Sequence, residues 1–305
     1  MQDLDLFTLR SAITDFLNSR KLGNLSPRTI IWYAEKLNHL FEGLDDTPLP
    51  QITLAVVRGR IADRQGTMKA ETLNGHIRAA KAFFNWLLAE EYQIAFDPRK
   101  LKLMKVEHRL PPTLTVEQLT QLLAAPDRHT WVGQRDHCLL ALFVDTGIRL
   151  SEALSLRLLD LNNGDGTVTV IGKGNKQRIV ALSMPMRRIL RRWLKVRQQQ
   201  VRKMNGAEHW LFFSRYGERL TGKTVHERVQ RYGKVAGIEG VRVSPHTFRS
   251  TFATHFCKQG GSIVHLQTIL GHTSLEMSRR YAAVTDQDAF EASRRYSMLG
   301  DGSGE

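Results

Sequence analysis

Five residues scattered over more than a hundred positions share one kind of chemistry: Arg149, His246, Arg249, His272 and Tyr281. A guanidinium forks onto two oxygens of one phosphate and stays charged at any working pH. A pair of them can therefore clamp a phosphodiester and the charge that develops on it in a transition state. A tyrosine held beside that clamp can attack the phosphorus, leaving a covalent phosphotyrosine and one free sugar hydroxyl. The bond energy then stays in the protein–DNA link, so strands are transferred rather than hydrolysed and no nucleoside triphosphate is consumed. Taken singly, a histidine or tyrosine on a helix is more often structural than reactive; the weight lies in the set.

The elements that must bring these residues together can be read from the local pattern. Pro245 at a first helical turn places His246 and Arg249 one turn apart on one face, expected to point outward. Phe248, Phe252 and Phe256, spaced by four, line the opposite, buried face. Gly271 reads as a helix stop, and Thr273 with Glu276 as a capping box, so His272 falls in a tight turn and Tyr281 about two turns into the next helix. Residues 167–182 change period: two β-branched runs flank Gly172-Lys173-Gly174-Asn175-Lys176-Gln177-Arg178, a β-hairpin with a basic, glycine-rich tip. Further helices fit 185–203, 223–236, 262–270 and 274 to about 283.

The first hundred residues read as helix after helix. Apolar stripes include Ile13, Phe16 and Leu17, then Ile30, Ala34, Leu37 and Phe41, then a short helix over 53–64 and a long one over 71–91, with no strand pattern. Asp97-Pro98 stops the last of these. The stretch 98–112, with Lys100, Lys102, Lys105 and Arg109 and a closing Pro111-Pro112, suits a linker. The expected organisation is a helical domain over 1–97, the linker, and a larger mixed domain over 113–305. The fold class is mainly α with one small β-hairpin or sheet, and 305 residues suffice for two cores.

Composition narrows the partners. The net charge of +14 points to a polyanion, and its placement is more informative than its total: residues 1–100 carry +1, whereas residues 171–250 carry +15. Arg188 and Arg192, within the run 187–197, are DNA-contact candidates together with Lys100, Lys102, Lys105, Lys176 and Arg178; the bland alternative is a solvated helix face. Two cysteines, Cys138 and Cys257, are too few for a disulfide framework and read as buried small hydrophobes. No apolar run reaches about 18 residues and the first five residues lack a secretory start, so a cytoplasmic, nucleoid-associated protein with no membrane partner is expected. His255, Cys257 and His265 match no familiar zinc spacing and read as packing. Gly172-Lys173-Gly174 lacks the spacing of an ATP phosphate loop and lies between strands rather than before a helix.

The arrangement resembles the tyrosine recombinase family, the phage-integrase and Xer-type site-specific recombinases. The boxes are Thr146-Gly147-Ile148-Arg149-Leu150-Ser151-Glu152, His246-Thr247-Phe248-Arg249, Leu270-Gly271-His272 with Tyr281 nine residues on, and the hairpin run Gly172-Lys173-Gly174-Asn175-Lys176. Ser250 stands where many relatives have another histidine, which is not a catalytic position. The resemblance implies a helical core-binding domain followed by a mixed α/β catalytic domain. It also implies attack by Tyr281, phosphate held by Arg149, Arg249 and His272, a proton donated to the 5′ oxygen by Lys173, and His246 as general base. Lys176 and Arg178 stand as alternative donors, and Glu152 as an orienting partner behind Arg149. It further implies a homo-tetramer on paired double-stranded DNA sites, with no cofactor and no metal. The tail, with Asp286-Gln287-Asp288 and its polar ending, resembles element-borne integrases more than chromosomal Xer proteins. Two other classes remain at this point: a DNA-binding protein without cleavage, which explains the charge but not the spacing, and a type IB topoisomerase.

Overall fold

The computed structural model describes residues 7–106, 111–162, 164–172, 176–204, 209–272 and 274–281. The chain divides into two compact units, 1–108 and 109–305.

In the first unit, α1 (Leu9–Leu22), α2 (Pro27–Leu40), α3 (Leu54–Ala62) and α4 (Ala70–Ala89) follow one another without a strand. Their starts are chemically marked: Thr8, Ser26 and Thr53 each accept a backbone N–H with the side chain, and Pro27 takes the first helical position. Phe16, Leu37, Leu40, Phe83, Phe84 and Leu87 meet in one core. Phe7, placed outside α1, is exposed. The stretch expected as linker begins inside this unit: Pro98–Lys100 form a 3₁₀ turn, Leu101 is buried in the core, and Asn74 exchanges two hydrogen bonds with the Met104 backbone (2.8 and 2.9 Å). Leu101 is an apolar side chain within a basic run, which explains why composition alone hid its packing.

The second unit opens with α5 (Val116–Ala124), entered through a capping box of Thr115 and Gln118, and α6 (Trp131–Thr146). Next come α7 (Leu150–Ser155) and an antiparallel sheet of β1 (Leu161–Asn162), β2 (Thr167–Ile171) and β3 (Gln177–Ala181), in the order β1-β2-β3. The hairpin expected from sequence is β2–β3, in register Thr169↔Ile179 and Ile171↔Gln177; the two-residue β1 is too short to signal itself. Val168, Val170 and Val180 face the core, while Ile179 and Ile171 face out. Then follow α8 (Met184–Val201), α9 (Gly222–Val235), α10 (Pro245–Lys258), α11 (Ile263–Leu270) and α12 (Leu275–Arg279). The last is shorter than expected: Ser274 rather than Thr273 precedes it, and Tyr281 lies two residues past its end.

Two charged side chains are consumed by the scaffold. Arg197, grouped by sequence with the wet face of α8, is buried, donates to Trp210 O through Nε (2.9 Å) and Nη2 (2.7 Å), and lies over the Phe213 ring. Asp136 in α6 is buried and accepts from Arg135 Nε and Nη2, Arg228 Nη1 (2.8 Å) and Tyr232 Oη (2.6 Å), joining α6 to α9. Arg135 is 1% exposed, so losing Asp136 would strand a buried charge. Asp136→Ala is expected to destabilise the protein by about 3–5 kcal/mol in chemical denaturation, the range for breaking a buried ion pair; a loss below about 1 kcal/mol would contradict this role.

Candidate active site

The site is assembled on the C-terminal end of α11. The last carbonyls of a helix have no partner within it and form its negative dipole end, where cations are stabilised. Here three consecutive carbonyls are each taken by a different arginine. Arg178 Nε donates to Ile269 O (2.8 Å), Arg249 Nη2 to Leu270 O (2.8 Å) and Arg149 Nη2 to Gly271 O (2.7 Å). Gly271 is what the close approach requires. Its φ of +64° is left-handed, and a Cβ there would stand 3.0 Å from Arg178 Nη1.

Arg149 is the residue immediately before α7, placed there by the left-handed Gly147 (φ +60°) that ends α6. Glu152, one turn into α7, is 1% exposed and accepts four hydrogen bonds at 2.8 Å: from the Arg149 backbone N–H, Arg149 Nη1, Arg178 Nη1 and Arg178 Nη2. Burial raises the pKa of this carboxyl, but the bonds from Arg178 and Arg149 outweigh it and hold the group below its ordinary value.

Arg249 is buried rather than outward-facing as its helical phase suggests. Its remaining contact is Nη1 to Gly147 O (3.0 Å), so it bridges the end of α6 and the end of α11. A buried guanidinium needs such acceptors. Burial, with Arg149 nearby, lowers its pKa to about 10, which leaves it fully charged at neutral pH. Among the described residues, Arg149 and Arg249 each give two N–H groups to protein acceptors, of the five that a guanidinium carries.

His272 follows Gly271 and is 7% exposed; its Nδ1 stands 2.7 Å from Ser278 Oγ. Burial, then the charges of Arg249, Arg149, Arg178 and Arg280, pull its pKa down to about 4. The Tyr281 ring stacks on it with centroids 6.1 Å apart at 17°, and packs with Ala253, Leu266 and Leu270 in a small core of α10 and α11. The expected helical phase for Tyr281 is replaced by a turn, closed by Tyr281 N–H donating to Ser278 O (3.1 Å). His246, at the first turn of α10, is exposed, and the surrounding protein and the Arg249 and Arg280 charges lower its pKa.

The structure thus brings together Arg149, Glu152, Arg249, His272 and Tyr281, with His246 within electrostatic reach. Lys173 lies outside the described residues; its neighbour Gly172 borders Glu152, 3.5 Å from Oε1 to where a Cβ would be. Lys176 is exposed beside the hairpin tip. Arg178 differs from the sequence reading, because all three of its guanidinium nitrogens donate to Glu152 or Ile269 O, which makes it part of the scaffold rather than a free contact. Arg188 and Arg192 are exposed on α8, and Lys100, Lys102 and Lys105 are exposed in the first unit. Cys138 is buried, Cys257 only half so, and His255 and His265 are exposed rather than packed. Sequence reasoning missed Ser278 and the true partners of Arg178; a serine one turn before the tyrosine is the only local trace.

Arg178→Ala is expected to cost about 3–5 kcal/mol of stability in urea, because it leaves Glu152 buried with half its donors. Arg178→Lys is expected to recover only part of this, since an ammonium cannot fork; unchanged stability would return Arg178 to the surface-contact class. His272 gains an acid-sensitivity: its folded pKa lies below the unfolded value, so its contribution to stability is complete above about pH 6.5 and fades as pH falls toward about 4. Denaturation midpoints over that window should fall more steeply in the native protein than in His272→Gln.

The phage integrase family model matches residues 112–288, and the phage integrase N-terminal SAM-like domain matches residues 13–91. The chain is 33% identical to tyrosine recombinase XerC of Thermodesulfovibrio yellowstonii over 278 residues, 89% of this chain and 91% of that one. It is 30% identical to tyrosine recombinase XerD of Haemophilus influenzae, covering 90% and 94%. Among solved structures, XerH site-specific recombinase bound to palindromic difH substrate after cleavage has a TM-score of 0.72 at 25% identity, covering 90% and 81%. The Tn1549 transposon integrase with transposon right-end DNA shares the fold, with a TM-score of 0.76 at 20% identity, covering 95% and 99%. A family model spanning more than half of the sequence, joined to relatives at 30–33% identity over about nine tenths of it, establishes that this chain belongs to the phage integrase family and is a tyrosine site-specific recombinase.

Proposed function

We propose that the chain cleaves and rejoins double-stranded DNA through a covalent 3′-phosphotyrosine, with Arg149, Lys173, His246, Arg249, His272 and Tyr281 as the reacting set. The observation that carries this is the convergence of two guanidiniums with free N–H groups, a buried neutral histidine and a tyrosine on one helix end. Tyr281 Oη attacks the phosphorus in line. The P–O5′ bond breaks as the P–O(tyrosine) bond forms, His246 takes the phenolic proton, and Lys173 gives one to the leaving 5′ oxygen. Arg149 and Arg249 hold the non-bridging oxygens with the N–H groups that the scaffold leaves free, and His272 adds one hydrogen bond. Attack by the 5′ hydroxyl of a partner strand reverses the step and completes the exchange.

The partner is a DNA site; the XerH and Tn1549 integrase structures were solved on theirs. Family resemblance supports a homo-tetramer on paired sites in the cytoplasm, and among the described residues no helix is long and apolar enough to cross a membrane. Exposed Lys100, Lys102, Lys105, Lys176, Arg188 and Arg192 supply backbone attraction. For the biological role, the XerC and XerD relatives favour resolution of chromosome or plasmid dimers. Integration and excision of a mobile element, the expectation drawn from the tail, rests on residues outside those described.

A nicked duplex carrying the site should yield a denaturation-resistant protein–DNA adduct that persists in EDTA and is absent from Tyr281→Phe. Arg149→Ala should slow its formation by about 10²–10³-fold, the usual loss for one transition-state donor. An adduct retained by Tyr281→Phe would refute the assignment. Sequencing the adducts formed in cells separates the roles: one chromosomal locus supports dimer resolution, and the two ends of one element support integration.

A further inference from the structure

Ser278 is fully buried in α12, and its hydroxyl makes one hydrogen bond among the described residues, to His272 Nδ1 at 2.7 Å. A hydroxyl and an imidazole nitrogen at that separation form either Nδ1–H···Oγ or Oγ–H···Nδ1, and the two differ in where the ring keeps its proton. At neutral pH the His272 ring carries a single N–H, since burial and four arginines disfavour the imidazolium. With that proton on Nδ1, the bare lone pair of Nε2 would repel a phosphate oxygen. With it on Nε2, the ring offers a donor, as Arg149 and Arg249 do. Among the described residues no protein group is hydrogen-bonded to Nε2, so the choice falls to the partner of Nδ1.

We propose that Ser278 is a positioning residue: its hydroxyl donates to His272 Nδ1 and fixes the ring as the Nε2–H tautomer, which lets a neutral histidine donate to a non-bridging phosphate oxygen. The Ser278 backbone oxygen meanwhile accepts the Tyr281 N–H (3.1 Å), so one residue orients the histidine and anchors the turn that carries the tyrosine. This deepens the phosphotyrosine reading and rests on it.

The test is read first on the free protein. In ¹⁵N-histidine-labelled wild type, with His272 assigned by its loss in His272→Ala, the ring spectrum should show a proton-free Nδ1 and a protonated Nε2. A ring protonated at Nδ1 overturns the inference whatever cleavage shows. With the nicked duplex, Ser278→Ala should slow adduct formation about tenfold, less than loss of a direct donor, with duplex affinity unchanged and Ser278→Thr close to wild type. In a His272→Ala background Ser278→Ala should have no further effect, and an additive loss there would overturn the proposal. Failure of wild type to form any Tyr281 adduct would instead refute the functional reading, while the tautomer would still be read from the spectrum.

Discussion

The Glu152 carboxylate takes four hydrogen bonds in a space closed to solvent, and the guanidiniums of Arg149 and Arg178 are fixed around it. Desolvating a carboxylate costs several kcal/mol, and here the bonds from Arg178 and Arg149 offset it and keep the group ionised. The dependence is mutual. Arg149 and Arg178 are held at fixed distances by bonds to the same two oxygens, and both then extend to α11. Three guanidiniums against one carboxylate leave the site with a positive surplus of two, which suits a phosphodiester whose charge doubles as the fifth oxygen arrives.

The second support is the end of α11. Cations at a helix C-terminus gain from both the dipole and the unpaired carbonyls, and here each of three successive carbonyls holds one guanidinium. That arrangement joins β3, α7 and α10 to a single short helix. It explains how residues far apart in sequence keep a common geometry, and why glycine stands at two left-handed helix ends: a Cβ at Gly271 would meet Arg178, and one at Gly147, whose carbonyl accepts from Arg249, would meet Phe252 and Leu270.

Much of this was readable before any coordinates. Phe248 and the Pro245 start placed α10, the β-branched runs placed the hairpin, and the boxes around Arg149, Arg249 and His272 pointed to side chains that converge at the end of α11. What escaped has physical causes. Arg249 is satisfied by two main-chain carbonyls and Arg178 by one carbonyl and the distant Glu152 carboxylate; a carbonyl leaves no mark in the sequence, so Arg249 read as outward-facing and Arg178 as a DNA contact or proton donor. Leu101 packs inside a run whose charges suggest solvent. Tyr281 leaves the helical phase because α12 ends at Arg279, and a terminal turn of that size lies within the ordinary error of a periodicity argument.

Main-chain acceptors also shape how this site can evolve. Side chains at positions 269 and 270 could be exchanged for other apolar residues without removing either oxygen that holds Arg178 or Arg249, so the anchor tolerates drift that a carboxylate anchor would not. Its weakness is to length rather than identity. A residue gained or lost within α11 would rotate all three carbonyls by about 100° around the helix axis, disabling every arginine in one step.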